Sequence, residues 1–154
     1  DFAPTILELA GVKAPEGMDG KSLLPLYENP QARIHDSLPL INVWGPNAVH
    51  SLAVVTKEMK YINWPWAAGE FKATEELYHT GDDPLEMTNL APSDGYANSL
   101  REMRGIYDRY VAQWKSEGVP YHRYPAFGVF FDRKESWEKK AEALDAQRKK
   151  KRGK

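Results

Sequence analysis

"LPLINVWGPNAVHSLAVVTKEMKYINW", residues 38–64, holds three runs of β-branched and aromatic residues separated by two turn signals. "LPLINVW" (38–44), "HSLAVVT" (50–56) and "KYINW" (60–64) each suit a pleated, half-buried strand, with "GPN" and "KE" as the turns. Connections this short favour antiparallel pairing, because parallel neighbours need a crossover of about a dozen residues. "EELYHT" (75–80) reads as a fourth strand. From Tyr96 to Glu117 the period changes: Leu100, Met103, Tyr107, Tyr110, Val111 and Trp114 recur at three- and four-residue steps. That is one apolar helical stripe, ended by Gly118 and Pro120, and it reads as core packing over one face of the sheet. The fold class is α+β: a small antiparallel sheet of about four strands packed by a long helix.

Between the fourth strand and this helix lies "ELYHTGDDPLEMTNLA", residues 76–91, with Glu76, Asp82, Asp83 and Glu86 around a Gly and a Pro. A calcium hand would place its ligands at alternate positions, and this stretch does not. Asp83 instead suits an N-cap, Pro84 the first helical position and Glu86 the third, a reciprocal capping box. The expectation is a turn, not a metal loop.

Upstream, "PTILELA" (4–10) reads as a short helix with Pro4 in its first turn and Gly11 just past its end. Ile6, Leu7, Leu9 and Ala10 give it more than one apolar face, so it is expected to be buried. "SLLPLY" (22–27) is expected to return apolar side chains to a core. "WPWAAG" (64–69) reads as packing under the sheet, with a partner or substrate surface as the alternative. Downstream, "VPYHRYPAFGVFF" (119–131) reads as an irregular aromatic segment. "ESWEKKAEALDAQRKKKRGK" (135–154) is helix-prone at first and ends in a basic run.

The 154 residues are 42% apolar and 28% charged, an ordinary globular balance with room for a core. With no cysteine there are no disulfides, thiolate metal sites or cysteine nucleophile in this chain. Apolar runs stay at a few residues, so no membrane helix is predicted. From Lys134 onward nine Lys/Arg face four Asp/Glu, while residues 1–133 carry twelve against eighteen. The basic end could attract polyanions by counterion release, yet no nucleic-acid motif accompanies it, and it reads as a solvated terminus. The opening "DFAPTILELAG", lacking an initiator Met or a leader pattern, reads as beginning inside a helix of something larger.

Three stretches resemble one family. "DFAPTILELAGVKAPEGMDGKSLLPL" is similar to a sulfatase segment of the form D-x-x-P-T-[IL]-L-x-L-A-G followed by P-x-x-x-D-G-x-S-L-x-P-L. "MKYINW" resembles the family's R-x-x-K-Y-I strand, and "ELYHTGDDPLEMTNLA" its E-L-Y-D-L-x-x-D-P-x-E-x-x-N-L-A. All three occur in family order, and the resemblance runs from Asp1 to about Lys115. It identifies the chain as the C-terminal portion of a formylglycine-dependent sulfatase of the alkaline-phosphatase superfamily. The implied organisation is residues 1–35 at the edge of a large α/β domain, 36–127 as the C-terminal subdomain and 128–154 as a basic, partly helical tail.

The resemblance implies a formylglycine nucleophile from a C/S-x-P-x-R motif and a divalent cation, expected to be calcium, in the full-length enzyme. Neither is expected within this chain. "SLPLI" (37–41) has Ser37 and Pro39 at the right spacing, but Ile41 stands where arginine is required. The expected partners are therefore the missing N-terminal sulfatase domain and a sulfated small molecule or glycan, with no membrane and no nucleic acid. The resemblance alone suggests a periplasmic or extracellular setting. His35, His79 and His122 read as surface or packing residues. Trp44, Asn47 and His50 surround a Gly-Pro turn, and in this family the subdomain borders the cleft, so these three are the candidate substrate-binding residues. A hairpin end with an edge tryptophan is the plainer alternative. The rival function is a stand-alone binding module that uses exposed aromatics and the basic tail.

Overall fold

The computed structural model describes residues 1–117 and 124–152. They fall into two compact units, 1–36 and 37–154.

In the first unit, helix α1 spans Phe2–Leu9 and helix α2 Leu24–Glu28. Asp1 is the node of this unit. Its carboxylate accepts the Lys21 backbone N–H at 2.9 Å and meets His35 Nε2 at 3.0 Å, while its carbonyl accepts the Thr5 hydroxyl. Thr5 Oγ1 in turn accepts the Leu23 N–H at 2.9 Å. A Cβ on Gly20 would lie 2.6 Å from the Asp1 nitrogen, so glycine is required for that approach. The expected burial of α1 is not found: Phe2, Ile6 and Leu9 are exposed and only Pro4 is buried. Nor does "SLLPLY" enter a core, since α2 buries no residue and Tyr27 is exposed. A unit of this size has too much surface for its volume to enclose these side chains unaided.

The second unit is a meander of four antiparallel strands in spatial order β1-β2-β3-β4: β1 Leu38–Asn42, β2 Ser51–Val55, β3 Met59–Trp64 and β4 Thr74–His79. The register aligns Val54, Tyr61 and Leu77 across β2, β3 and β4, and all three are fully buried. Helix α3, Ala97–Ser116, lays Leu100, Met103, Ile106, Tyr107 and Val111 over them. Each large side chain so buried contributes about 1.5–3 kcal/mol of transfer energy. Gly118 and Pro120, the expected terminators, lie outside the described residues, as does His122.

The aromatic segment differs from expectation. Tyr124–Phe130 is helix α4, and Phe127, Phe130 and Phe131 complete the core, with Phe131 stacked near Trp114. Helix α5, Trp137–Arg152, adds Leu144 to the same core and sets Trp137 edge-to-face on Trp66 at 4.9 Å. "WPWAAG" thus packs, through Trp66, against a stretch read as tail. The basic run from Arg148 lies outside the described side chains.

The turn after β4 is a turn, but not a capping box. No helix follows Pro84, because Glu86 takes a left-handed φ of 55°. The Asp83 carboxylate accepts the Thr88 N–H at 2.8 Å, and Glu86 Oε2 accepts from Lys60 Nζ at 2.7 Å. Asn89 Oδ1 then takes the N–H groups of Leu77 and Ala91, fastening the turn back to the β4 edge.

Candidate functional site

The β1–β2 connection is held at both ends. Asn42 Nδ2 donates to the Val49 carbonyl at 3.0 Å, and Asn42 Oδ1 accepts the Trp44 N–H at 3.3 Å. Gly45 turns the chain at φ 80°, and Asn47–Val49 form one 3-10 turn. The structure separates the three candidate residues. Trp44 projects into solvent, 83% exposed. Asn47 is half-buried and faces a hollow lined also by Trp66 and Trp137. His50 is 4% exposed, beneath the turn and not on its surface.

The His50 ring sits edge-to-face against Phe127 and Phe130, with centroids at 5.8 and 6.2 Å. Its Nε2 donates to the Gly45 carbonyl at 3.2 Å, and its buried Nδ1 has no partner among the described residues. Burial lowers its pKa below the usual histidine range, the Gly45 bond opposing. A neutral, Nε2-protonated imidazole follows. Such a group fixes the turn; it cannot also present a donor to a ligand at the surface.

Sequence reasoning missed a polar network inside the unit. Arg104 grips the Glu75 carboxylate with two nitrogens, and the Tyr61 hydroxyl donates to Glu75 Oε2 at 2.8 Å. Arg104 holds the Glu75 carboxyl below its ordinary range, while burial raises the Tyr61 phenol. Arg133 pairs with Asp108 at 3.1 Å and lies 6.0 Å over the Tyr61 ring. Deeper, the Tyr107 hydroxyl accepts from Asn63 at 3.0 Å and donates to the Phe131 carbonyl at 2.7 Å. No signal in the local sequence pairs these residues; Glu75 and Arg104 are 29 positions apart.

The remaining candidates are engaged. Ser37 and Tyr110 share a hydroxyl contact at 3.1 Å, and Tyr110 donates to the Ser37 carbonyl. His79 Nδ1 accepts the Asp82 N–H at 3.2 Å, and His35 meets Asp1. Among the described residues no three His, Asp or Glu side chains gather where they could hold a metal ion, so the side chains present do not fit the cation that the resemblance implies. No described helix is long and apolar enough to cross a membrane.

Residues 1–113 match the family model described as "N-sulphoglucosamine sulphohydrolase, C-terminal". The chain belongs to this sulfatase C-terminal family. Among curated relatives it is 30% identical to an N-acetylglucosamine-6-O-sulfatase of Bacteroides thetaiotaomicron over 121 residues, covering 75% of this chain and 21% of the relative. It is also 30% identical to an arylsulfatase of Clostridium perfringens, over 69% of this chain and 21% of that one. The sulfatase C-terminal unit therefore spans about a fifth of the curated relatives it matches. A solved structure in complex with its substrate D-glucosamine-2-N,6-O-disulfate superposes with a TM-score of 0.64 at 27% identity, covering 77% of this chain and 24% of that one. The family match ends before α4 and α5, which complete the core here.

Proposed function

We propose that this chain is the C-terminal part of a sulfuric ester hydrolase, where it completes the fold and borders the cleft for a sulfated sugar. The observation that carries the cleft assignment is Trp44: a large aromatic held in solvent on a turn whose backbone is locked by Asn42 from above and His50 from below. A rigid exposed indole offers a stacking face at little entropic cost to binding. Asn47, two residues past Gly45, supplies an amide for hydroxyl or sulfate oxygens. His50 positions both and touches neither ligand nor solvent.

The exposed apolar side chains support the partner. Phe2, Ile6 and Leu9 on α1, and separately Leu38 and Leu40 on β1, are exposed among the described residues. A further portion of the same polypeptide, carrying nucleophile and cation, is the partner whose chemistry fits.

The test is Trp44→Ala and Asn47→Ala in the complete enzyme, assayed on a sulfated monosaccharide and on a small aryl sulfate. The reading expects KM for the sugar to rise about tenfold, the worth of one lost stacking contact, with kcat for the aryl sulfate little changed. Equal kcat/KM for wild type and both variants on both substrates would retire it.

A further inference from the structure

We propose that the basic run on α5 binds linear sulfated polysaccharide through charge. Helix α5 carries its two signs apart. Glu138, Glu142 and Asp145 come first, and from Arg148 the order is Arg-Lys-Lys-Lys-Arg, followed by Gly153 and Lys154. Six of these last seven residues are cationic and none is acidic. The body is the reverse, with twelve Lys/Arg against eighteen Asp/Glu over residues 1–133. Attraction for a polyanion is therefore concentrated on this run.

The helix dipole accounts for only part of the pattern. It favours cations in the last turn, but Arg148 and Arg152 stand four apart, and Lys149 and Arg152 three apart, where like charges repel. Lys150, Lys151 and Arg152 have no carboxylate three or four positions before them. A bound chain of anions relieves that repulsion and releases its own condensed counterions. The helix is fixed at its other end: Trp137 meets Trp66, and Leu144 is buried in the core one turn before Arg148.

Composition selects among polyanions. A helix that lies in a membrane surface needs large apolar residues opposite its cations, and residues 145–154 contain none. Single-stranded nucleic acid is held by aromatic stacking, and the same stretch has no aromatic residue. A stiff duplex would bring its charge against the acidic body as well as the run, whereas a thin glycan chain can follow the run alone. The choice of sulfate as the anion rests on the sulfuric ester hydrolase reading above, but the residues are not those of the cleft assignment.

The experiment follows the anisotropy of a fluorescent heparin dodecasaccharide with the full 154-residue chain between about 50 and 200 mM salt. With four cations engaged, affinity should fall about fiftyfold across that range, a log–log slope of about −3. The triple variant Lys149→Gln, Lys150→Gln, Lys151→Gln should lessen that slope by about two. Removing the same charge from exposed positions of the body, as Lys13→Gln, Lys57→Gln, Lys72→Gln, should leave it unchanged. Heparin stripped of its sulfates should bind more weakly by about tenfold or more. Trp44→Ala should leave heparin affinity unchanged, so this proposal and the cleft assignment fail separately. No binding at low salt, an undiminished slope in the first triple variant or an equal loss in the second would each overturn the proposal. So would undiminished binding of desulfated heparin, or equal or tighter binding of a DNA duplex or of phosphatidylserine vesicles.

Discussion

His50 Nε2 lies 3.2 Å from the carbonyl oxygen of Gly45, so a histidine buried against Phe127 and Phe130 closes the turn that carries Trp44. One side chain thereby ties the sheet's first hairpin to helix α4, whose Phe127 and Phe130 follow it by about 80 positions.

This relationship makes stability depend on pH. The folded-state pKa of His50 is depressed, so the unfolded chain binds its proton more readily. The contribution is whole above the unfolded value of 6.5 and is lost as pH falls below it toward the folded pKa. The melting temperature should therefore drop between pH 7 and pH 5 more steeply in wild type than in His50→Gln, about 1–3 kcal/mol less stable at neutral pH. Parallel Tm-against-pH curves for the two proteins would show that His50 does not titrate on unfolding.

Glu75 acts at lower pH and with the same sign. Arg104, and after it the Tyr61 hydroxyl, favour the carboxylate, so its contribution is present above the ordinary value of 4.5 and disappears as pH falls through the folded pKa. Glu75→Gln should cost about 1–2 kcal/mol at pH 7, the modest figure reflecting partial solvent screening, and should flatten the acid limb of urea denaturation between pH 5 and 3. An unaltered acid limb would argue that the pair is screened out.

Tyr107→Phe isolates the deep hydrogen bonds. The loss of one hydroxyl leaves Asn63 without its acceptor and the Phe131 carbonyl without its donor, in a fully buried place. The expected cost is about 2–3 kcal/mol with little change in the m-value. A cost below about 0.5 kcal/mol would mean that water replaces the hydroxyl.

The 154-residue chain, purified by itself, should hydrolyse 4-nitrophenyl sulfate no faster than buffer. It should also self-associate through the exposed face of α1, with a weight-average mass in sedimentation that climbs with concentration and returns to monomer in Ile6→Lys. Turnover that survives repurification, or a clean monomer at high concentration, contradicts the respective half of this expectation.

The four strands and α3 were readable from residue order because their patterns are local: β-branched runs between turn residues, then a stripe at helical spacing. Trp44 was readable as a prominent aromatic beside Gly-Pro. The capping box was misread because Asp83, Pro84 and Glu86 have the right local spacing. Lys60, 26 positions away, holds the Glu86 carboxylate, and the left-handed backbone at that residue prevents a helix. Helix α4 was missed since "YPAFGVFF" offers no apolar period to read, and its order comes from packing against α3 and α5.

Residue order alone therefore settled the α+β class, the antiparallel meander and membership of a sulfatase family, all of which rest on short-range pattern. Whether His50 faces solvent or core, and whether the stretch from Trp137 to Leu144 is tail or core, depended on contacts spanning tens of residues. Burial is a property of what arrives from elsewhere in the chain. A histidine's neighbours in sequence cannot say whether Phe127 and Phe130 will close over it.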